Sequence, residues 1–215
     1  MRLDYVSYVT SHGQLADTAQ CLGSRLSSTF IDGGVHPRFG TRNISLALQD
    51  GHYIEVVCPL DHTASDASPF SKAISQPAAR GGGWLTWIAS FDDVSKVEAR
   101  LGRQAVDGLR AKPESHDLSR QQIGVLGTLE DRQLPFSIQW KSLEHPSIDG
   151  KAIAKIVKVE IEGDKKQITD LLGNDLATAL STEVEAIWLI PADTEGEPGI
   201  VAVNLMTPSG VVRVD

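Results

Sequence analysis

The sequence predicts an α+β protein made of two β-α-β-β-β modules that share a mostly antiparallel sheet, followed by a C-terminal β-α-β-β extension. Three observations support this prediction: alternating apolar residues that are typical of strands, a strand–helix pattern that recurs, and a weaker third copy of that pattern. The predicted parts are a first module (1–60), a linker rich in Ser, Ala, Pro and Gly (61–82), a second module (83–148) and the extension (149–215).

The first module is predicted from one strand, one helix and three further strands. Leu3–Val9 alternates and is followed by Ser11-His12-Gly13-Gln14, which is typical of a capping box that satisfies free helical N–H groups. Helically spaced apolar residues (Leu15, Ala19, Leu22 and Leu26) then predict a helix with one apolar face. The other strands are predicted at 29–35, 44–48 and 53–57, the last two joined through the hairpin dipeptide Asp50-Gly51.

The second module repeats the first at a constant offset. Ser90-Phe91-Asp92-Asp93 is again typical of a capping box, and Leu-Gly closes the helical pattern at 22–23 and at 101–102. Ser90 follows Ser11 by 79 positions, and Gly102 follows Gly23 by the same 79. This shared register predicts a duplication. Further strands are predicted at 84–89, 122–128 and 134–140 with a polar loop at 111–119, and the extension is predicted from strands at 156–161, 185–190 and 200–206 and a helix at 167–172.

The net charge and the composition of the chain restrict the classes of partner. A formal charge of −8 argues against nucleic acid and against an anionic membrane surface. No apolar run approaches the roughly 20 residues of a membrane span, and the N-terminus lacks the apolar core of a signal peptide. Cys21 and Cys58 are expected to be free thiols, with a disulfide as the minority alternative. We predict a cytoplasmic monomer or homodimer whose partner is a small molecule.

Polar residues concentrate in the stretch 33–58, whose centre reads HPRFGTRN at residues 36–43. Beyond it, Glu55 lies in the middle of an apolar strand. Burying an acid there is costly unless the acid meets a cation, a metal or a hydrogen-bond donor. Two interpretations follow: a structural ion pair with Arg38 or Arg42, or a carboxylate that faces a pocket.

With its repeat and this His-Pro-Arg-Phe-Gly-Thr-Arg-Asn stretch, the chain resembles the glyoxalase-like branch of the vicinal oxygen chelate superfamily. The similarity covers nearly all of residues 1–145 and is most specific from His36 to Glu55. It implies paired modules that curl into a half-open barrel with the active site inside. It also implies a small oxygenated substrate, which many relatives chelate with a divalent metal held by His and Glu on the first and last strands of each module.

Carrying those ligand positions over leaves an incomplete metal site. Glu55 fits the last strand of the first module, but Tyr5 stands where many relatives place a His. Residues 84–86 offer neither His nor carboxylate, and Gln139 takes the last position as a neutral amide. Because Mg²⁺, Mn²⁺ and Zn²⁺ need several ligands, we expect no metal and no other cofactor, unless His36 or another loop residue supplies a replacement.

The first module supplies most candidate site residues. Glu55 is the candidate general base and His36 the candidate proton shuttle, although a hydrogen-bonded turn role for His36 is equally open. Arg38 and Arg42 are candidates to hold an anionic substrate, the alternative being solvated side chains. Asn43 is a candidate substrate contact or the cap of its turn.

The second module supplies two candidates. Trp87 is either a core residue or part of an aromatic cleft. Matching residues 53–56 to 137–140 makes Gln139 the counterpart of Glu55. Gln139 then either donates a hydrogen bond inside the cavity or faces water.

Three function classes are compatible with this sequence. The first is an enzyme, a lyase, isomerase or hydrolase acting on a small oxygenated metabolite without the usual metal. The second is a protein that sequesters a small molecule without chemistry, and the third is a structural module with a vestigial pocket. The acid with a nearby His favours the first, whereas the lost ligand positions favour the other two.

Overall fold

The computed structural model describes residues 1–110, 118–173, 184–189 and 198–215, whose strands form two sheets. Most of the predicted polar loop, residues 111–117, and the last residue of one predicted strand, Ile190, lie outside these ranges. No helix in the described ranges is long and apolar enough to cross a membrane.

An eight-stranded sheet carries the two modules. Its strands are β1 (Arg2–Val9), β2 (Ile31–His36), β3 (Thr41–Ala47), β4 (Tyr53–Pro59), β5 (Gly83–Ser90), β6 (Val106–Arg110), β7 (Leu118–Ile123) and β8 (Phe136–Trp140). The order across the sheet is β2-β3-β4-β1-β5-β8-β7-β6, with β1–β4 and β5–β8 parallel and all other neighbours antiparallel. Each module therefore pairs its first strand with its last, and the two first strands meet at the centre. The predicted fold class is confirmed.

Five α-helices lie in the described part of the chain: α1 (Leu15–Leu26), α2 (Pro69–Ala79), α3 (Ser95–Leu101), α4 (Gly127–Glu130) and α5 (Lys165–Leu172). The strand predicted at 122–128 ends at Ile123 because α4 follows, and β6 is a strand that the sequence pattern did not reveal.

The predicted ends of α1 differ from those in the structure. Helix α1 continues past Gly23 to Leu26 and ends where Ser27 adopts a left-handed conformation (φ 55°). Gly23 is needed for another reason: a Cβ there would lie 2.6 Å from the carbonyl oxygen of Ser28. The Ser11 hydroxyl bonds the side chain of Gln14 at 2.9 Å instead of a helical N–H.

Helix α3 also begins later than predicted. Ser90 is the last residue of β5, and the helix begins at Ser95 after the N-cap residue Val94. The backbone N–H and the hydroxyl of Ser95 both donate to the Asp93 carboxylate. The predicted end of this helix is confirmed, since α3 ends at Leu101 and Gly102 adopts a left-handed conformation (φ 62°). The 79-residue repeat thus identified two equivalent strands and the end of α3 correctly, but it misplaced the end of α1.

The predicted linker, residues 61–82, contains a packed helix. Ser68 caps α2, and Pro69 occupies the first helical turn, where its missing N–H costs nothing. Ile74 and Ala78 are buried against the cluster that includes Val57 of β4. The segment connects the modules and also packs on the end of the sheet; the module boundaries themselves stay predictions.

The C-terminal extension forms a separate four-stranded sheet. Its strands are β9 (Lys155–Glu162), β10 (Glu185–Leu189), β11 (Gly199–Thr207) and β12 (Gly210–Val214), in the order β10-β9-β11-β12. It has one strand more than predicted, and it does not extend the first sheet. Its apolar face shares one core with the outer face of the first sheet, where Val6 and Trp87 join Ile156 and Val203. The inner face of the first sheet is left to form a cavity.

Candidate functional site

A row of polar residues crosses four adjacent strands of the first sheet. The strand register places Ser45 of β3 beside Glu55 of β4, Glu55 beside Ser7 of β1, and Ser7 beside Thr86 of β5. Because side chains alternate between the faces of a strand, this row lies on the inner face of the curled sheet. The Ser45 hydroxyl is buried and has no hydrogen-bond partner among the described residues.

Glu55 is held by a hydrogen bond to each of its carboxylate oxygens. The Ser7 hydroxyl donates to Oε2 at 3.1 Å, and Nδ2 of Asn43 donates to Oε1. The Oδ1 atom of Asn43 lies 3.2 Å from Nε2 of His36. Since an amide oxygen only accepts, this contact makes His36 Nε2 the donor. His36, Asn43, Glu55 and Ser7 therefore form one chain of hydrogen bonds.

Two buried tyrosines stand next to this chain. Tyr5 and Tyr53 stack with ring centroids 4.3 Å apart and an angle of 19° between the ring planes. Burial raises the pKa of Tyr5 well above its ordinary value, the charge of Glu55 raises it further, and Arg120 opposes both effects. The Tyr5 hydroxyl consequently stays protonated at neutral pH and can donate a hydrogen bond.

Arg120 of β7 is the cation of the inner face. Its Nε donates to the Gln122 side-chain oxygen at 3.1 Å, and its guanidinium carbon lies 5.6 Å from the centre of the Trp140 ring. These contacts fix the side chain without neutralising it. Among the described residues, no ion pair joins Arg120 to Glu55 or to another carboxylate.

These groups surround an inner cavity of about 40 Å³, which holds only a few waters or the end of a small molecule. Its polar lining includes Tyr5, Ser7, His36, Glu55, Thr86, Arg120 and Gln122, and its apolar lining includes Phe39, Phe70, Leu85 and Phe136. A larger outer cleft of about 310 Å³ adjoins it. Phe39, Phe70, Gln122 and Val125 line both spaces, so the two spaces are adjacent.

Three of the predicted site residues come together in the structure. His36 and Glu55 line the inner cavity, and Asn43 connects them. Because Asn43 lies between the two, His36 does not contact Glu55 through its Nε2. Arg38 lines the outer cleft, where its Nη1 donates to the main-chain oxygen of Asp107 at 3.2 Å.

Arg42 does not face the cavity. It alternates with Thr41 and Asn43 along β3 and therefore points to the opposite face. There its Nη2 bonds Asp32 at 2.8 Å in an ion pair open to solvent. The structure thus places Arg42 at the surface, which was the alternative to substrate contact that the sequence left open.

The structure also places both candidates from the second module outside the cavity. Trp87 is 0% exposed, belongs to the core behind the sheet and donates from Nε1 to the Gln133 carbonyl at 3.2 Å. Gln139 bonds the main chain of Asp92 and Val94. It points away from the cavity because its neighbour Ile138 packs with Tyr5 on the inner face. Matching Gln139 to Glu55 thus predicted the cavity face for Gln139, whereas the structure places it on the opposite face of its strand.

The residues present do not fit the divalent metal of the superfamily. The cavity-facing residues on the first and last strands of the modules are Tyr5, Ser7, Glu55, Thr86 and Phe136. Of these, only Glu55 is a good ligand for such an ion. Within the described ranges, no three His, Cys, Asp or Glu residues come close enough to hold a metal.

Sequence reasoning missed Ser7, Arg120 and Gln122. A usable signal existed for the last two, because Arg120 and Gln122 are two residues apart and must share a face of any strand that contains both. Recognising which face required the long-range pairing of β7 with β8, which no local pattern shows.

Comparison with known proteins gives a family and a fold. Residues 3–176 match the family model described as glyoxalase-like domain. No curated protein matches the sequence. Among solved structures, a hypothetical protein from Staphylococcus aureus is similar over 100% of this chain and 85% of its own, with 13% identity and a TM-score of 0.60.

Two further solved structures are similar over part of the chain. They are methylmalonyl-CoA epimerase from Mycobacterium tuberculosis (16% identity, 65% of this chain and 86% of that chain, TM-score 0.43) and hypothetical protein BH1468 from Bacillus halodurans C-125 (13% identity, 67% and 96%, TM-score 0.43). Likeness at these identities concerns the fold alone.

Proposed function

Because the chain belongs to the glyoxalase-like domain family, we propose that it binds a small oxygenated metabolite in the inner cavity and removes a proton from it with Glu55. The observation that supports this most is the position of Glu55: its carboxylate lines the cavity, both oxygens are oriented by donors, and no described arginine pairs with it. The proposed class is an isomerase or lyase whose first step is abstraction of a proton from carbon.

Glu55 is suited to act as the base. Ser7 and Asn43 each occupy one acceptor position of the carboxylate, which has about four in all, so positions for a proton are left on both oxygens. Two donors also restrict the rotation of the carboxylate plane. A base that is already oriented loses less entropy when the reaction begins.

Arg120 and Tyr5 are suited to stabilise the product of that step. When a C–H bond next to a carbonyl breaks, its proton passes to Glu55 and its electron pair moves to the carbonyl oxygen, which becomes an enolate. Both residues line the same cavity as Glu55, and Arg120 has no carboxylate partner among the described residues. A guanidinium and a protonated phenol are the donors that such an oxyanion requires.

His36 is suited to return a proton. It lines the cavity, and Asn43 holds its Nε2, which fixes the orientation of the ring. In an isomerase, Glu55 or His36 would reprotonate the enolate carbon. The aromatic rings of Phe39, Phe70 and Phe136 surround this space and would limit the entry of water while the enolate exists.

Proton exchange with solvent tests the proposal. The protein is incubated in D₂O with a panel of 2-oxo acids, 2-hydroxy ketones and acyl thioesters, and proton NMR follows the loss of the signal next to the carbonyl. We expect Glu55→Gln to slow the exchange of a responding compound about a hundredfold or more while the melting temperature is preserved.

The matched control is Glu130→Gln, which neutralises an exposed glutamate that lines neither the cavity nor the cleft. It should leave the exchange rate unchanged. A compound that binds in the cavity but never exchanges would instead favour sequestration without chemistry. Equal exchange by the Glu55→Gln variant would show that Glu55 is structural.

A further inference from the structure

The outer cleft has walls that are mostly apolar. Val106 and Leu126 line it although they are 51% and 50% exposed, and Ile123 and Val125 continue the same surface. At its inner end, Phe39 and Phe70 contact edge to face with ring centroids 5.7 Å apart. Large apolar side chains left in water at the entrance of a cavity indicate a surface that an apolar group covers.

The same cleft carries an excess of positive charge. Arg38 and Arg103 both line it, whereas Asp107 is the acid among the described lining residues. One N–H of Arg38 bonds the main-chain oxygen of Asp107, which leaves other donors of its guanidinium available. Within the described ranges, no carboxylate forms an ion pair with Arg38 or Arg103.

The end of α2 adds to this charge. Ser68 and Pro69, at its N-terminus, line the cleft, and the partial positive charge of a helix lies at that end. An occupant of the cleft therefore meets apolar side chains along its length and positive charge beside them. A neutral apolar molecule would leave the two arginines unused, and an inorganic anion would leave the apolar walls exposed.

We propose that the outer cleft binds the apolar body and the anionic end of the substrate, so that the substrate is an amphipathic anion with its oxygenated, reacting end in the inner cavity. The orientation of the substrate, with its reacting end in the inner cavity, rests on the proposed function. The inference follows from the adjacency of the two spaces, which share Phe39, Phe70 and Val125 as lining residues. The anionic group is a carboxylate or a phosphate, both of which a guanidinium binds with two hydrogen bonds.

Binding of simple alkyl anions tests the proposal without a known substrate. Butanoate, hexanoate, octanoate, octyl phosphate and 1-octanol are titrated into the ¹⁵N-labelled protein, and amide shifts are followed by NMR. We expect each added methylene of the carboxylates to raise the affinity about two- to fourfold. The amides of Gly124 and Leu126 in the cleft should shift, whereas those of Gly23 and Ser28, which line a groove at the end of α1, should not.

Charge variants identify where the anionic end lies. Arg103→Gln should weaken octanoate binding about three- to tenfold and leave 1-octanol binding unchanged. Arg80→Gln, at the C-terminal end of α2 and outside both spaces, is the control and should change neither. Tighter binding of octanoate would identify the anionic group as a carboxylate, and tighter binding of octyl phosphate would identify it as a phosphate. Either result supports the proposal.

Two results would overturn it. One is 1-octanol binding as tightly as octanoate. The other is that Arg120→Gln abolishes octanoate binding while Arg103→Gln leaves it unchanged, which would place the anion in the inner cavity. Glu55→Gln separates this inference from the proposed function: it should stop proton exchange while octanoate binding stays within about twofold of the original protein, since removing an acid that the tail does not touch changes little.

Discussion

Replacing Gly33 with alanine should disrupt the hydrogen bonds that orient Glu55. A Cβ at this buried position would overlap Oδ1 of Asn43 and would lie 2.7 Å from its Cγ and 2.9 Å from its main-chain oxygen. Real Cβ atoms do not approach other atoms this closely, so the Asn43 side chain must move. Its bonds to His36 and Glu55 would then be lost.

The size of the effect follows from those two bonds. The bond to the Glu55 carboxylate is worth about 1.5–3 kcal/mol and the bond from His36 about 1 kcal/mol. Alanine also stiffens the unfolded chain, which returns about 0.4–1 kcal/mol. We therefore expect Gly33→Ala to lower the free energy of unfolding by about 2–3 kcal/mol, measured by urea denaturation.

A double-mutant cycle distinguishes this cause from a general backbone effect. In an Asn43→Ala background the overlapping side-chain atoms are absent, so Gly33→Ala should cost at least about 1.5 kcal/mol less than in the original protein. Gly13→Ala is the control, since a Cβ there meets nothing within 4 Å. The reasoning fails if Gly33→Ala costs no more than Gly13→Ala, or if its cost is the same in both backgrounds.

Two further predictions concern stability around β1. His52 is 3% exposed, and burial lowers its pKa, so below about pH 6.5 the unfolded chain binds a proton that the folded chain excludes. The free energy of unfolding should therefore fall by up to about 1.4 kcal/mol for each pH unit below that point. His52→Gln should flatten this slope in urea titrations. Asp4 is fully buried and bonds Nε2 of His145 and Nε1 of Trp140, so His145→Ala should cost about 2–3 kcal/mol, against a negligible change for the exposed His12→Ala. An equal cost for both His variants would show that the contact with Asp4 contributes nothing.

The sequence was most informative where local rules decide the outcome. Alternation in 53–57 placed Glu55 on one face of a strand, and the cost of burying an acid indicated that this face meets polar groups. The structure supplies them as Ser7 and Asn43. The His-Pro stretch likewise predicted a polar turn, and His36 does line the cavity.

Local rules failed where the register of a strand or a distant strand decides the outcome. Gln139 was matched to Glu55 by letter similarity, but the residue of β8 that lines the cavity is Phe136, and Ile138 packs with Tyr5 on the same face. Arg42 was grouped with Arg38 because they are close in sequence, although the pleat of β3 turns Arg42 outwards. The cation that reaches the cavity, Arg120, comes from β7 on the far side of the sheet.

The predictions for the end of α1 and for the linker failed for a different reason. Leu22-Gly23 was taken as a stop because Gly is common after helices, but here Gly23 permits a close approach of the Ser28 carbonyl within a helix that continues. The composition of 61–82 indicated a linker, whereas Ile74 and Ala78 provide enough apolar surface to hold α2 against the sheet. Tertiary contact overrode the local preference in both cases.

The most direct measurement is proton exchange by protein that has been dialysed against EDTA and checked by elemental analysis, using the compound that exchanges fastest in the panel. If Glu55, Arg120 and Tyr5 provide the chemistry, the metal-free protein should exchange at the full rate. The Glu55→Gln variant should exchange at about a hundredth of that rate or below. Exchange that disappears on dialysis and returns with Mn²⁺ or Zn²⁺, or a Glu55→Gln variant that exchanges at the original rate, would contradict this mechanism.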